Sequence, residues 1–166
     1  MILEEVQALL TVKFGEQIIL ATDINSSPPM LTVPAAQIAE ICTELHTNEQ
    51  TYFDYLACLT GLDNGPDERT MEVIYHLYSI PYNFQLALQI VIPRQIGENK
   101  MTEVPTVSHI WRTANWHERE AFDMYGIHFS GHPDQRRILL PADWEGHPLR
   151  KDYKEQDYYH GIKVIY

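Results

Sequence analysis

The stretch MEVIYHLYSIPYNFQLALQIVI, residues 71–92, alternates between apolar and polar side chains on either side of a central turn. Apolar residues hold the odd positions before Pro81-Tyr82-Asn83 and the even positions after it. A period of two is typical of strands that bury one face, so the stretch predicts two antiparallel strands joined by a short connection. The predicted buried face consists of Met71, Val73, Tyr75, Leu77, Leu86, Leu88, Ile90 and Ile92.

A third strand is predicted immediately before this pair. Residues 52–60 are rich in aromatic and aliphatic side chains, and Asp63-Asn64-Gly65-Pro66 follows with residues typical of a turn. Three consecutive strands with short connections predict an antiparallel meander. Its apolar face needs helices to cover it.

Two helices and two short strands are predicted before the meander. Apolar residues fall on one helical face from residue 2 to residue 10, and Phe14-Gly15 supplies a stop. Residues 17–22 and 30–33 are predicted as strands. A second helix follows Pro34, with an apolar stripe that continues to residue 45.

Two more helices are predicted after Pro105. Residues 107–111 suggest a short one, and Asn115 with Glu118 has the spacing of a capping box at the start of another, which Gly126 ends. The predicted fold class is α+β: a two-layer domain with a mainly antiparallel sheet covered by helices, followed by an extended C-terminal arm.

The predicted boundary separates a body, residues 1–126, from an arm, residues 127–166. Proline and glycine recur at short intervals in the arm, and no helical or strand period persists. The arm has too many large apolar residues for a disordered segment, so we expect it to be ordered by packing on another surface. Arg136-Arg137 and Arg150-Lys151 would then bind carboxylates or backbone carbonyls of a partner.

Composition excludes several classes of protein. The chain has 166 residues and a formal net charge of -11, which makes nucleic acid or an anionic membrane a poor partner. Residues 1–111 hold 4 basic against 14 acidic residues, and residues 112–166 hold 8 against 9. The two cysteines, Cys42 and Cys58, predict core roles in a reduced compartment. No apolar run reaches the length of a membrane span, and the N-terminus lacks the basic start of a targeting peptide.

No catalytic, cofactor or metal motif emerges from the residues themselves. Phosphate-binding glycine loops and nucleophile elbows are missing, and two distant cysteines cannot ligate an iron–sulfur cluster. His117 and Glu120 have a spacing that allows one metal, but no second pair completes the site. Glu118, Glu120 and Asp123 are better explained as a charged helix face than as an acid–base cluster.

Four stretches of the last third carry a family resemblance. They are EREAFDMYGI at 118–127, GHPD at 131–134, RRIL at 136–139 and DWEGHPLRKDY at 143–153. Together they closely resemble the signature of the C subunit of proton-translocating NADH:quinone oxidoreductase, respiratory complex I. Gln135 departs from the pattern, because the family tends to have an apolar residue there. The chain also lacks a long C-terminal extension that some relatives have.

The resemblance implies a core subunit of the peripheral arm of the complex. Such a subunit carries no FMN, iron–sulfur cluster or quinone ligand; its neighbours do. It packs principally on the D subunit, with the B and I subunits nearby, on the cytoplasmic side of the bacterial inner membrane, and reaches the membrane only through the complex. The positions that the resemblance marks as partner-contacting or arm-fixing are Glu118, Arg119, Glu120, Asp123, Gly126, His132, Pro133, Arg136, Arg137, Gly146, Pro148, Leu149, Arg150, Lys151, Asp152 and Tyr153.

Two other functions remain open from the sequence. An equivalent assembly subunit of a membrane-bound hydrogenase, or of a ferredoxin-fed complex, would look similar over these stretches. A free-standing hydrolase or metal enzyme would use the histidine and carboxylate residues around Glu118. It predicts activity or bound metal in the isolated chain.

Overall fold

The computed structural model describes residues 2–94 and 103–164. Its α-helices are α1 (Leu3–Phe14), α2 (Ile38–Thr47) and α3 (Ala114–Tyr125). Single 3-10 turns of helix occupy Glu16–Ile18 and Ala35–Gln37. The strands are β1 (Ala21–Asp23), β2 (Met30–Thr32), β3 (Tyr55–Gly65), β4 (Thr70–Ser79), β5 (Phe84–Pro93), β6 (Glu103–Pro105), β7 (His128–Ser130), β8 (Tyr158–Tyr159) and β9 (Ile162–Lys163).

The main sheet has five strands in the order β1-β2-β5-β4-β3. The meander β3-β4-β5 is antiparallel, as the alternation predicts, and Val73 of β4 stands opposite Ile90 of β5. The edge departs from that pattern, because β2 pairs with β5 in parallel. The fold is therefore α+β with a mainly antiparallel sheet, which confirms the predicted class.

The apolar face predicted for residues 71–92 forms the centre of the core. All eight of its side chains are at most 2% exposed, and Val6, Leu10, Ile41 and Leu45 of the covering helices are fully buried against them. Burying one such aliphatic side chain contributes about 1.5–3 kcal/mol. On the opposite face of the meander, the alternate residues of β3 and β4 are half-buried or exposed.

Three local predictions are wrong. Residues 17–22 do not form one strand, because Gly15 at φ +95° lets the N–H of Ile18 bond to its carbonyl and close a 3-10 turn before β1. Residues 63–65 were predicted as part of a turn but belong to β3, where the Asp63 side chain is buried. The turn lies at residues 66–69. Residues 107–111 form hydrogen-bonded turns without a helix.

The start of α3 also differs from the prediction. The helix begins at Ala114, Thr113 makes no side-chain cap, and Asn115 lies inside the helix. Glu118 does not reach back to the helix start, because its carboxylate is occupied by the N–H of Val107 at 2.7 Å and the hydroxyl of Thr106 at 2.5 Å. A long-range contact thus replaces the predicted capping box.

The chain after Gly126 first adds a strand to the body and then becomes irregular. Strand β7 pairs in parallel with β6, and Ile127 and Phe129 are each 1% exposed in the core. Beyond Ser130 the chain is irregular until the β8–β9 hairpin. The last two residues of the predicted arm lie outside the described residues.

A search of the described residues for a helix long and apolar enough to cross a membrane finds none.

Candidate functional site

The last turn of α3 carries a buried carboxylate that fixes the start of the arm. Oδ2 of Asp123 accepts the backbone N–H groups of Ile138, Leu139 and Leu140 at 3.0, 2.8 and 3.0 Å. Burial raises the pKa of Asp123, but these amides and the Arg137 guanidinium outweigh that effect and hold it below its ordinary value. The carboxylate therefore stays ionised although the side chain is fully buried.

Arg137 ties three segments together around that carboxylate. Its Nη1 donates to Oδ1 of Asp123 at 2.7 Å and to the Asp123 carbonyl at 3.1 Å. Its Nη2 donates to the carbonyls of Trp144 and Gly146 at 3.1 and 2.8 Å. A charge taken out of water needs such a full set of partners, so Arg137 is committed to contacts within the chain.

Gly126 ends α3 where the second half of the arm crosses it. Its φ of +73° favours glycine, and a Cβ there would lie 2.5 Å from both Nε2 of His147 and Nη2 of Arg150. Nδ1 of His147 bonds to the Asp123 carbonyl at 3.0 Å, and Nε of Arg150 donates to the Tyr125 carbonyl at 2.6 Å. Burial lowers the pKa of His147, which suits a neutral ring with its proton on Nδ1.

A second buried charge cluster fixes the far end of this crossing to the sheet. Asp63 on β3 accepts both Nε and Nη2 of Arg94 at 2.7 and 3.2 Å, and also the backbone N–H of Lys151 at 2.8 Å. Arg94 forms an ion pair with Asp152 as well. The side chains of Asp63 and Arg94 are nearly inaccessible, whereas that of Asp152 is half-exposed. This cluster connects residues far apart in the sequence, so it holds the arm to the body.

Glu118 and His132 fix the stretch around β6 and β7. Both side chains are inaccessible, and Oε2 of Glu118 lies 3.8 Å from Nε2 of His132. Nδ1 of His132 accepts the N–H of Asp134, so Nε2 carries the proton that bonds to the Asn115 carbonyl at 3.1 Å. Burial raises the pKa of Glu118 to about 7. Neither side chain reaches the surface.

Other predicted site residues lie on the surface. Glu120, Pro133, Arg136 and Leu149 are exposed, although the N–H of Leu149 bonds to the Met124 carbonyl at 3.1 Å. Arg136 forms a bidentate ion pair with Asp134, both bonds at 2.7 Å. Pro148 is half-buried.

Tyr153 closes the turn that contains Gly146. A Cβ at Gly146 would lie 3.0 Å from the Tyr153 ring, and Nε1 of Trp144 donates to the Tyr153 hydroxyl at 3.1 Å. The signature residues thus form two groups, one that fixes the arm from inside the chain and one that remains exposed.

An exposed groove runs between α3 and the first part of the arm, and we call it the arginine groove. It has a volume of about 500 Å³ and is lined by Arg119, Phe122, Arg136, Arg137 and Ala142. Arg119 donates to the carbonyls of Arg136 and Arg137 at 3.0 and 3.4 Å, and so aligns the two sides of the groove.

Metal ligation has no candidate in residues 2–94 and 103–164, which hold no group of three or more His, Cys, Asp and Glu side chains suited to one ion. Cys42 is buried in the core as predicted, with burial raising the pKa of its thiol. Cys58 instead lies half-buried on the uncovered face of the sheet, opposite His76.

Sequence reasoning missed three residues that complete the site. Asp63 was assigned to a turn, and Arg94 and Thr106 received no role, yet they hold the arm and Glu118. The local signal for Arg94 is its position: it is one of few basic residues in an acid-rich body and stands at the end of an apolar strand. Its partners are 31 and 58 residues away.

Comparison with known proteins places these contacts in a family. The family model "Respiratory-chain NADH dehydrogenase, 30 Kd subunit" matches residues 31–159. The C subunit of NADH-quinone oxidoreductase from Chlorobium phaeobacteroides is 44% identical over 156 residues, which is 93% of this chain and 90% of that protein. The C/D subunit of NADH-quinone oxidoreductase from Acinetobacter baumannii is 38% identical over 151 residues, 87% of this chain and 24% of that longer protein.

A solved structure shares the fold. It is described as "Structure of the membrane-bound sulfane sulfur reductase (MBS), an archaeal respiratory membrane complex". The TM-score is 0.72 at 23% identity, with 91% of this chain and 85% of that chain covered. The family match and the relatives together show that this chain belongs to the family of the 30 kDa subunit of respiratory-chain NADH dehydrogenase, which includes the C subunit of NADH-quinone oxidoreductase.

Proposed function

We propose that this chain is a non-redox core subunit in the peripheral arm of a proton-translocating NADH:quinone oxidoreductase, where it docks on and stabilises the quinone module. The observation that carries the proposal is the fixed arm. Asp123, Arg137 and the Asp63–Arg94 pair use buried charges to hold residues 137–152 in one conformation. A segment held this rigidly presents its exposed residues in a fixed arrangement, which lowers the entropy cost of binding a partner.

The surface around the arginine groove is suited to a protein partner. Trp116 and Leu139 are each 61% exposed, and Leu149 is 51% exposed. Tryptophan and arginine are enriched among the residues that contribute most of the binding energy of interfaces, and Trp116 lies against Arg119. The proposed partner is principally the D subunit, with the B and I subunits nearby. The relative whose name joins C and D supports this choice, because a protein that combines both subunits would keep them in proximity.

In this proposal the redox chemistry belongs to other subunits. Electrons would pass from NADH through FMN and iron–sulfur clusters held elsewhere to quinone, and this chain would bind none of them. It would sit on the cytoplasmic face of the membrane and be attached through the complex alone. The purified chain is then expected to lack flavin, iron and NADH dehydrogenase activity, and iron in a stoichiometric amount would contradict the assignment.

The experiment that tests the proposal is recovery of the intact complex. A tagged chromosomal copy is purified from gently solubilised membranes, the accompanying proteins are identified by mass spectrometry, and NADH:quinone reduction is assayed. We expect flavin, iron–sulfur and membrane subunits to accompany the chain, with inhibitor-sensitive activity. A tagged chain recovered alone contradicts the proposal.

The second candidate is an assembly subunit of another membrane-bound redox complex. The fold shared with a chain of a sulfane sulfur reductase complex favours it, since that architecture occurs outside NADH dehydrogenases. Recovery of hydrogenase or ferredoxin-dependent subunits, with no NADH oxidation, would select this candidate from the same experiment.

A further inference from the structure

The arginine groove keeps positive charge that the arm does not use. Arg137 is neutralised by Asp123 and Arg136 by Asp134, but Arg119 donates only to carbonyls, which carry no net charge. Within residues 2–94 and 103–164, no hydrogen bond involves Nη1 of Arg119 or Nη1 of Arg136. The groove therefore keeps one positive charge, that of Arg119, in a chain whose formal net charge is -11.

The walls of the groove are apolar as well as positive. Phe122 and Ala142 contribute its apolar lining. The Arg119 guanidinium lies over the Trp116 ring, 5.4 Å from its centre. This cation–π contact helps to hold the guanidinium at the edge of the groove. A ligand that fits such a surface needs a carboxylate for the guanidinium groups and an apolar side chain for the floor.

We propose that the arginine groove binds a segment of a neighbouring subunit in which an aspartate or glutamate stands beside a large apolar residue. This inference rests on the proposed function, since it names what the docking surface recognises. Arginine forms strong charge-assisted hydrogen bonds with carboxylates, and the two carbonyls hold the Arg119 guanidinium in place while its Nη1 remains available for one. A volume of about 500 Å³ accommodates one apolar side chain and the adjoining carboxylate.

Site-specific crosslinking identifies the occupant. Ala142 is replaced by the photoreactive residue p-benzoylphenylalanine in the tagged, full-length chain, and the complex is irradiated after purification. We expect one crosslinked peptide from another subunit, with an acidic residue next to the attachment point. A crosslinked phospholipid, or a peptide without an acidic residue, would overturn the proposal.

Charge reversal tests the recognition itself. Arg136→Glu is expected to reduce the chain retained in the complex after a high-salt wash by about tenfold, the equivalent of ~1.4 kcal/mol. Arg69→Glu makes the same charge change in the exposed β3–β4 turn and should leave retention unchanged. Replacing the crosslinked acidic residue with lysine should restore retention of Arg136→Glu.

The outcomes separate this inference from the function on which it rests. If the wild-type chain recovers the complex but Arg136→Glu behaves as Arg69→Glu does, the groove proposal is wrong and the docking function stands. If the wild-type chain recovers no other subunit, both are wrong. An unchanged circular-dichroism melting curve for Arg136→Glu establishes that lost retention does not come from misfolding.

Discussion

At the residue scale, one carboxylate organises the signature. Asp123 has no exposed surface, yet it accepts three consecutive backbone amides and a guanidinium. Amides at 138–140 would otherwise need water or a regular strand to satisfy them, and the arm has neither helix nor strand there. The side chain thus substitutes for secondary structure, which explains how an irregular segment is held in one conformation.

Removing the charge of Asp123 should loosen the arm. We expect Asp123→Asn to lower the free energy of unfolding by roughly 3 kcal/mol, because it leaves Arg137 buried without an anion. The loss should shrink in acid. A carboxylate whose pKa is lowered by folding gives its full stabilisation above the pKa of the unfolded chain, and this stabilisation disappears as pH falls through the pKa of the folded chain. Urea unfolding measures both effects. Glu120→Gln, an exposed change on the same helix, is the control and should stay within about 0.5 kcal/mol.

Glu118 should give the opposite pH dependence. Its pKa is raised to about 7 from an ordinary 4.5, so the folded chain binds more protons than the unfolded chain between these values. Stability is therefore highest below the lower value and falls by roughly 3 kcal/mol as pH rises through the upper one. Glu118→Gln keeps the shape and removes the titration. The wild-type and variant stabilities, measured by urea unfolding across this range, should lie close together in acid and separate as pH rises, with the variant becoming the more stable; parallel curves would contradict the assignment.

Gln135 is a local weakness of the same region. Both polar atoms of its amide are buried and make no hydrogen bond to any described residue. An unpaired buried amide costs about 1–3 kcal/mol, so Gln135→Met should raise the free energy of unfolding by roughly 1 kcal/mol. Thermal unfolding compares it with Gln17→Met, an exposed substitution. A loss of stability in the first variant only would mean that the amide has a partner.

At the scale of elements, the arm packs closely against the end of α3 at Gly126. Gly126→Ala should cost more than backbone strain alone, because the new Cβ would collide with His147 and Arg150. Gly15→Ala is the matched control: it also follows a helix at positive φ, but a Cβ there would have no atom of the described residues within 4 Å. Strain of this kind costs about 1–3 kcal/mol. Limited proteolysis with mass spectrometry of the fragments measures the effect. We expect rapid cleavage within residues 140–155 for Gly126→Ala and not for Gly15→Ala.

The elements also differ in how far the sequence predicts them. Strands β4 and β5 were predicted correctly because alternation within each strand encodes the buried face, and a short turn brings the strands together. The parallel pairing of β2 with β5, and of β6 with β7, depends on contacts between distant segments that no local period encodes. The short strand predicted at 17–22 failed for a local reason, since one glycine redirects the chain.

For the candidate site, the sequence marks residues but does not say which of them bind each other. The signature contains Asp123, Arg137 and Lys151, but it does not say that the first two bind each other or that Asp63 accepts the N–H of the third. The same residue types, mainly charged and aromatic ones, serve to fix an arm and to bind a partner. Only burial separates them, and burial is a property of the folded chain.

At the scale of the whole molecule, the arm is attached at two places that differ in their separation along the sequence. Around Asp123 the attachment lies on the last turn of α3, close in sequence to the arm itself. The Asp63–Arg94 cluster lies on the sheet, and Asp63 is 88 residues from Lys151. Closing so long a loop has an entropic cost that the buried ion pair offsets. We therefore expect residues 127–152 to unfold together with the body.

Truncated chains should reveal where the body ends. A chain of residues 1–126 loses Ile127 and Phe129, whose burial contributes about 2–3 kcal/mol each, together with the pairing of β7 with β6. Together these losses are a large fraction of the net stability of a domain this size, so we expect this chain to be unfolded or aggregated. A chain of residues 1–131 keeps both side chains and should show cooperative thermal unfolding at a lower midpoint than the full chain. Cooperative unfolding of the shorter chain at the same midpoint would place the end of the body at Gly126.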